Sequence, residues 1–316
     1  MRKILSLVLR TAVVAGCLLY AFWGMDLEQF GRALTRYELV PLVGLLVFSL
    51  GQYVPVGLRF DYLTGFRAGL WTTFKASIFC MGVNNIFPAK LGEVAKAFYL
   101  RRETGISVSH GLGLVFWERF FDLNCLLLLG LCTAAMLGKD FAVVPLAVFV
   151  GGVWICLLVL RLMPSVGAWA ERLIPFERAR LLFREVLDQL QGVASPSFLL
   201  VLALYSAGVW TFFVSFMASA LWWVGGLDLS FSQVLTVFVV ASLGMAVPSS
   251  PGGLGVFEAA MVLSLGWFGV SREQALALGL VVRIVTFVPP ILATLAMMAR
   301  SGLSLKDVRS AGGEDA

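Results

Sequence analysis

Arg119 and Arg283 each stand in otherwise apolar sequence, within residues 111–137 and 274–299. An arginine at mid-membrane depth costs at least about 2.5–3.5 kcal/mol unless it reaches water or a partner, so both residues mark either a polar site or an ion pair. Glu118 and Asp122 flank the first. Arg119 and Asp122, three positions apart, share a helix face and form a candidate structural pair, and Arg119 is also close enough to the end of its stretch to snorkel. Arg283 lies deeper.

Two interruptions in the apolar sequence supply complementary groups. One carries Asn84, Asn85, Pro88, Lys90, Gly92 and Glu93; the other carries Ser249, Ser250, Pro251, Gly252, Gly253, Gly255 and Glu258. Pro88 and Pro251 suit the opening turn of a helix, with Ser250 placed to cap before Pro251. Helix amino termini at depth would present unpaired amides and a positive dipole end to an anion. The glycines would admit a phosphate close to the backbone, and the Asn and Ser side chains would add hydrogen bonds. Glycine also serves tight helix packing, so the run is not by itself a phosphate loop. Glu93 and Glu258 have two readings: they neutralise the arginines when no ligand is bound, or they take up protons to couple movement to a gradient.

No nucleophile-base pair or metal-ligand cluster accompanies these carboxylates, so the expectation is neither an enzyme nor a protein with a metal or cofactor. His110 is the single histidine and reads as a loop residue at a helix entrance. Cys17, Cys80, Cys125, Cys132 and Cys156 lie in apolar runs and read as small buried hydrophobes, without disulfides.

The elements that must position these groups follow from composition. Of 316 residues, 59% are hydrophobic and 14% charged, which excludes a soluble globular protein and predicts an all-α, polytopic membrane protein. The net charge of +5 fits cytoplasmic loops and anionic headgroups. No basic stripe interleaved with aromatics points to nucleic acid. Full-length apolar segments run over 5–23, 39–58, 111–137, 141–162, 197–223 and 274–299, about six crossings. The amino-terminal Val14, Ala15, Gly16 and Cys17 look like a lipoprotein cleavage site, but Arg10 interrupts the run and apolar sequence continues to Trp23, so a retained span is expected. Residues 70–100, divided at Pro88, and 231–268, divided at 248–253, read as two re-entrant helical hairpins, because the arm after Pro88 is short and carries Lys90, Glu93 and Lys96.

Charge sets the expected sidedness. Arg2, Lys3 and Arg10, then Arg59, Arg67, Lys75, Arg101, Arg102, Arg161, Arg172, Arg178, Arg180, Arg184, Arg300, Lys306 and Arg309, fall on one side of this topology. Only Arg32, Arg36, Lys139 and Arg272 fall on the other. Both termini are therefore expected in the cytoplasm. The asymmetry is the same whether the hairpins re-enter or cross. Residues 1–300 form one membrane domain, and residues 301–316 a loose cytoplasmic tail. The connector 164–196 carries Phe183, Val186, Leu187 and Leu190 on one helical face, opposite Arg180, Arg184, Glu185 and Asp188. It suits either a helix on the cytoplasmic membrane surface or a solvated linker between two halves.

Gly92 follows Pro88 at plus four and Gly255 follows Pro251 at plus four; Arg119 lies 31 positions after Pro88, and Arg283 lies 32 after Pro251. We read two copies of span, hairpin and span, over 39–137 and 197–299, in inverted orientation. Transporters recurrently use such a plan, with interrupted helices meeting at the midplane. The competing reading is coincidence, since proline and glycine are common in membrane helices.

At these residues the chain resembles the family of the lysyl-phosphatidylglycerol synthetase transmembrane region, also called flippase-like membrane proteins. The resemblance rests on Asn85 with Pro88, Gly92 and Glu93, on Glu118 and Arg119 with Asp122, and on the run from Pro248 through Gly255 with Glu258. It implies a bacterial or archaeal inner-membrane protein linked to translocating phospholipids or other lipid-linked molecules. The synthetases add a soluble aminoacyl-transferring domain; this sequence ends at Ala316 without one, so aminoacyl transfer is not carried over. Stand-alone members have been associated with glycolipid, polyprenyl-linked sugar and hopanoid pathways. The expected activity is flippase-like or scramblase-like movement of an anionic phospholipid or lipid-linked glycan, with the membrane lipid as partner. The alternatives are a subunit that anchors or regulates a glycosyltransferase or other lipid-modifying enzyme, and a secondary transporter of a small anion.

Overall fold

The computed structural model describes residues 2–87, 91–138, 140–192, 195–246 and 251–301. Among these there is no strand. The chain runs through α1 (Arg2–Phe22), α2 (Leu27–Thr35), α3 (Leu39–Gly51), α4 (Tyr53–Leu63), α5 (Leu70–Ile86), α6 (Gly92–Thr104) and α7 (Val108–Met136). It continues through α8 (Asp140–Leu162), α9 (Pro164–Arg172), α10 (Glu177–Gly192), α11 (Pro196–Ala218), α12 (Phe231–Ala246), α13 (Val256–Gly266) and α14 (Arg272–Ser301). A π-helical segment, Ser219–Val224, extends α11, and a 3-10 turn, Pro251–Gly253, precedes α13.

Four helical stretches are long and apolar enough to cross a membrane: Leu39–Leu63, Val108–Met136, Pro196–Val224 and Arg272–Arg300. The number reaches six if α1 with α2, bent by 86°, and α8 with α9, bent by 103°, each count as one span. The four coincide with the expected segments 39–58, 111–137, 197–223 and 274–299, and α1 and α8 fall on the other two, 5–23 and 141–162. Their outer faces carry exposed Val47, Ile155, Leu204, Ile284 and Leu292, a surface suited to lipid and unfavourable in water. Cys132 and Cys156 are exposed too, while Cys80 is buried. The expectation of burial thus holds for Cys80 and fails for these two, because an apolar position on a membrane helix can face lipid instead of protein.

The second span corrects the expected boundary. Hydropathy ends it at Leu58 and puts Arg59 in a cytoplasmic loop, but the helix continues to Leu63 with Arg59, Phe60 and Leu63 buried. It stops where Gly65 takes a left-handed conformation, φ 64°.

Two compact units emerge, and each draws on both of the stretches 39–137 and 197–299. The first comprises residues 1–52, 81–91 and 211–294. In it α13 packs against α1 and α12, and α3 against the π-helical segment. A Cβ at Gly244 would lie 3.2 Å from that of Ala260, so α12 and α13 run in close contact. At 16 and 11 residues both fall short of the roughly 20 needed to span. This is the expected helix-break-helix element. The α1–α2 bend is closed by Asp26, whose carboxylate accepts from the Glu28 and Gln29 amides at 2.9 and 3.1 Å.

The second unit comprises residues 53–80, 92–210 and 295–316. Here α7 packs against α4, α6, α8 and α10, with Phe60, Leu100, Trp117, Phe120, Phe121 and Leu202 in a shared core. The Phe79 ring of α5 meets Tyr99 of α6 at 5.7 Å, which brings the two arms of the first interrupted element side by side. In the connector, Val186, Leu187 and Leu190 are buried, because α10 lays its apolar stripe on the protein's own α7, α8 and α9. Arg180 donates to the Ile174 carbonyl at 2.9 Å and Arg184 pairs with Glu171. His110 sits in the first turn of α7, capped by Ser107, and its Nδ1 is 2.7 Å from Glu185 Oε1. It ties α7 to α10.

Candidate functional site

In the first unit the break before α13 and the middle of α14 build one buried ionic site. Gly252 and Gly253 adopt φ of 61° and 64°, a left-handed bend that L residues disfavour. The bend turns both carbonyls toward Arg283, whose Nη1 and Nη2 donate to them at 2.9 and 3.0 Å. The same guanidinium grips Glu258 with Nε to Oε1 and with Nη2 to Oε2, the latter at 2.9 Å. Glu258 Oε2 also accepts from the Gly255 amide at 2.8 Å. The carboxylate thus sits on the amino-terminal turn of α13, where the helix dipole favours negative charge. Phe287 and Phe257 place their rings 4.7 and 5.3 Å from the guanidinium carbon, adding cation–π attraction. Glu258 is 3% exposed and Arg283 8%.

This geometry corrects two details of the sequence reading. The α-helix opens at Val256 with Gly255 before it; Pro251 opens only the short 3-10 turn, because the left-handed glycines interrupt helical continuation. The space over the glycines is also filled: a Cβ on Gly252 would lie 2.5 Å from the Phe287 ring, and one on Gly253 2.5 Å from the Met245 sulfur. Close side-chain packing, together with carbonyl aim, is what these glycines supply here.

The second unit buries a denser cluster where α4, α6 and α7 meet. Glu118, fully buried, accepts from Arg59 Nη2 at 3.0 Å and from Lys96 Nζ at 2.6 Å. Asp122 accepts from Arg59 Nη1 at 2.6 Å, from Trp210 Nε1 at 3.0 Å and from Arg119 at 3.1 Å. Arg119 lies 3.5 Å from Glu118 as well. Lys96 Nζ stands 3.6 Å from the centroid of the Phe60 ring. Three cations face two carboxylates, and only Arg119 among the cations is accessible, its side chain 50% exposed.

The expected trio Glu118, Arg119 and Asp122 is therefore brought together, as are Gly252, Gly253, Gly255, Glu258 and Arg283. Asn84 and Asn85 end α5 half-buried, and Asn85 Nδ2 is buried without a hydrogen-bond partner among the described residues. Gly92 opens α6, where Glu93 has one buried oxygen, Oε2, likewise without a partner. Glu93 is close enough to Arg119 for their charges to interact. Pro251 lies in the 3-10 turn. Pro88, Lys90, Ser249 and Ser250 lie outside the described residues.

Sequence reasoning missed Arg59 and Lys96 as members of a site. The available signal for Arg59 was the apolar pattern resuming at Phe60, Tyr62 and Leu63, with no glycine between Arg59 and Gly65. Lys96 was recognised as a membrane-embedded charge, but its partner Glu118 is 22 residues away, beyond any local spacing rule.

Chemically, both arrangements are buried cations neutralised by the chain's own carboxylates. Breaking such a buried pair on one side leaves an uncompensated charge, a loss of about 3–5 kcal/mol. A competing anion would offset that loss by taking the vacated place.

Comparison with known proteins agrees with this architecture. Residues 7–294 match the family described as the lysylphosphatidylglycerol synthase TM region. A UPF0104 membrane protein of Methanothermobacter thermautotrophicus is 26% identical over 283 residues, covering 81% of this chain and 82% of the relative. Another UPF0104 membrane protein, from Methanocaldococcus jannaschii, is 25% identical over 222 residues, covering 66% of this chain and 88% of the relative. With a match over nearly its whole length, this multi-pass helical membrane protein belongs to the lysylphosphatidylglycerol synthase transmembrane-region family.

Proposed function

We propose that this chain moves a lipid with an anionic headgroup between the leaflets of the cytoplasmic membrane of a bacterium or archaeon, with both termini on the cytoplasmic side. The observation that carries this reading is the Glu258 carboxylate, held by the Gly255 amide and the Arg283 guanidinium within apolar helices. A phosphate oxygen offers the same acceptor chemistry. The headgroup exchanges with Glu258 while Arg283 stays anchored on the Gly252 and Gly253 carbonyls, and the acyl chains remain in the bilayer. A deep cationic site without an internal competitor would hold phosphate too tightly to release it. Return of Glu258 expels the headgroup, so the bound and free states stay close in free energy. The half-exposed Arg119 of the second unit supplies a further positive charge to attract anionic headgroups.

The test is reconstitution of the full chain in liposomes containing acyl-labelled fluorescent phosphatidylglycerol, with dithionite reducing only the outer leaflet. Protein-dependent loss of the protected fluorescence is expected, together with its abolition in Arg283→Ala that inserts and folds normally. Equal protection in protein-free and protein-containing vesicles would overturn the proposal and favour a non-transporting subunit, which would copurify with a lipid-modifying enzyme.

A further inference from the structure

At one end of the first unit a cavity of about 530 Å³ opens between α2, the turn that follows it, the π-helical segment after α11 and the start of α14. We propose that this cavity is a saccharide-binding site. Its framework is fixed by three contacts: Arg272 donates to the Tyr20 carbonyl, the Asp26 amide donates to Glu273 Oε1 at 3.3 Å, and Gln274 Nε2 donates to the Gly225 carbonyl at 3.4 Å, which leaves the Gln274 side-chain oxygen for a ligand. Lining it are Arg36, Tyr37, Glu38, Trp223 and Gln274. The Tyr37 hydroxyl is buried and has no hydrogen-bond partner among the described residues. Trp223 is 59% exposed, so an indole wall is presented to whatever enters.

The chemistry selects among ligand classes. Arginine, glutamate and glutamine are planar groups able to make paired hydrogen bonds, here with donors and acceptors of both charge signs in one cup. A ligand rich in adjacent hydroxyls, each both donor and acceptor, satisfies all of them at once; a bare phosphate leaves Glu38 facing like charge. The negative face of the indole suits the weakly positive C–H face of a sugar ring. The volume falls in the range of about 300–1,000 Å³ that encloses a molecule larger than a phosphate or an amino acid.

The site is independent of lipid movement and is tested by binding alone. The full chain in phosphatidylcholine nanodiscs is titrated calorimetrically with methyl glycosides and disaccharides, with glycosyl diacylglycerol in the disc, and with lysine and glycerol 3-phosphate. Saturable saccharide binding is expected, weakened about tenfold or more in Arg36→Ala and in Trp223→Ala, and unchanged in Trp267→Ala, whose exposed indole lies outside the cavity lining. The Arg36 side chain is exposed and makes no hydrogen bond or ion pair among the described residues, so its variant keeps the test valid if Trp223→Ala fails to fold. Tighter binding of the lipid-anchored sugar than of free glycosides assigns the site to a glycolipid, and the reverse assigns it to a soluble sugar. Saccharide binding that survives Arg36→Ala, or binding of lysine or glycerol 3-phosphate without any saccharide, overturns the proposal.

Discussion

Glu258 and Arg283, 25 residues apart in sequence, close on each other through two guanidinium nitrogens and both carboxylate oxygens. The same carboxylate takes the Gly255 amide, so one side chain satisfies a buried cation and a helix amino terminus together. Protein and ligand can therefore compete for one position.

Replacing Glu258 with Gln should lower stability by leaving Arg283 buried against a neutral partner, a cost of about 3–5 kcal/mol. Thermal unfolding in nanodiscs should show a lower midpoint in phosphatidylcholine, with part of the loss restored by phosphatidylglycerol, whose phosphate fills the vacated place. Equal midpoints in the two lipids would count against a headgroup reaching Arg283.

The second cluster should discriminate sharply between its members. Glu118→Gln removes a fully buried carboxylate that serves Arg59 and Lys96 and should cost about 3–5 kcal/mol in unfolding titrations in mixed micelles. Arg119→Gln, half-exposed, should cost about 0–1 kcal/mol. Similar losses for the two would show that the cluster is not graded by burial.

Gly252→Ala forces a side chain into left-handed backbone and against the Phe287 ring. The conformational part alone costs about 1–2 kcal/mol. Because Phe287→Leu by itself forfeits the ring's contact with Arg283, the comparison is between backgrounds: Gly252→Ala should lower the thermal midpoint less in Phe287→Leu than in the parent, the remaining loss being the backbone part.

Hydrogen bonds donated by the Gln29 and Glu28 backbone amides hold the Asp26 carboxyl below its ordinary value of 3.8. A group depressed in the folded state stabilises above its unfolded value and loses that contribution as pH falls through the folded one. Amide exchange in α2 should therefore accelerate below about pH 4 relative to neighbouring helices, and Asp26→Asn, which caps without titrating, should remove that dependence.

What the sequence disclosed follows the range of the forces involved. The six apolar segments were legible because membrane thickness fixes their length, and the Arg119–Asp122 pair because it lies on one helical face. Neutralisation of Arg283 by Glu258 stood as one of two local readings, and only the packing of α13 beside α14 realises it. Arg59 was hidden for the opposite reason: hydropathy ends a span at a charge, whereas Glu118 and Asp122 on another helix let the span run through it. The glycines were ambiguous because a left-handed bend serves ligand approach and side-chain packing equally, and Phe287 and Met245 occupy the space concerned.

The most direct measurement compares the rates at which labelled phosphatidylglycerol and labelled phosphatidylcholine change leaflet in vesicles containing the parent chain or Arg283→Gln. With headgroup exchange at Arg283, the parent moves the anionic lipid faster, and the substitution removes that preference while the protein remains folded. An identical rate for both lipids in the parent, or a preference untouched by Arg283→Gln, would contradict it.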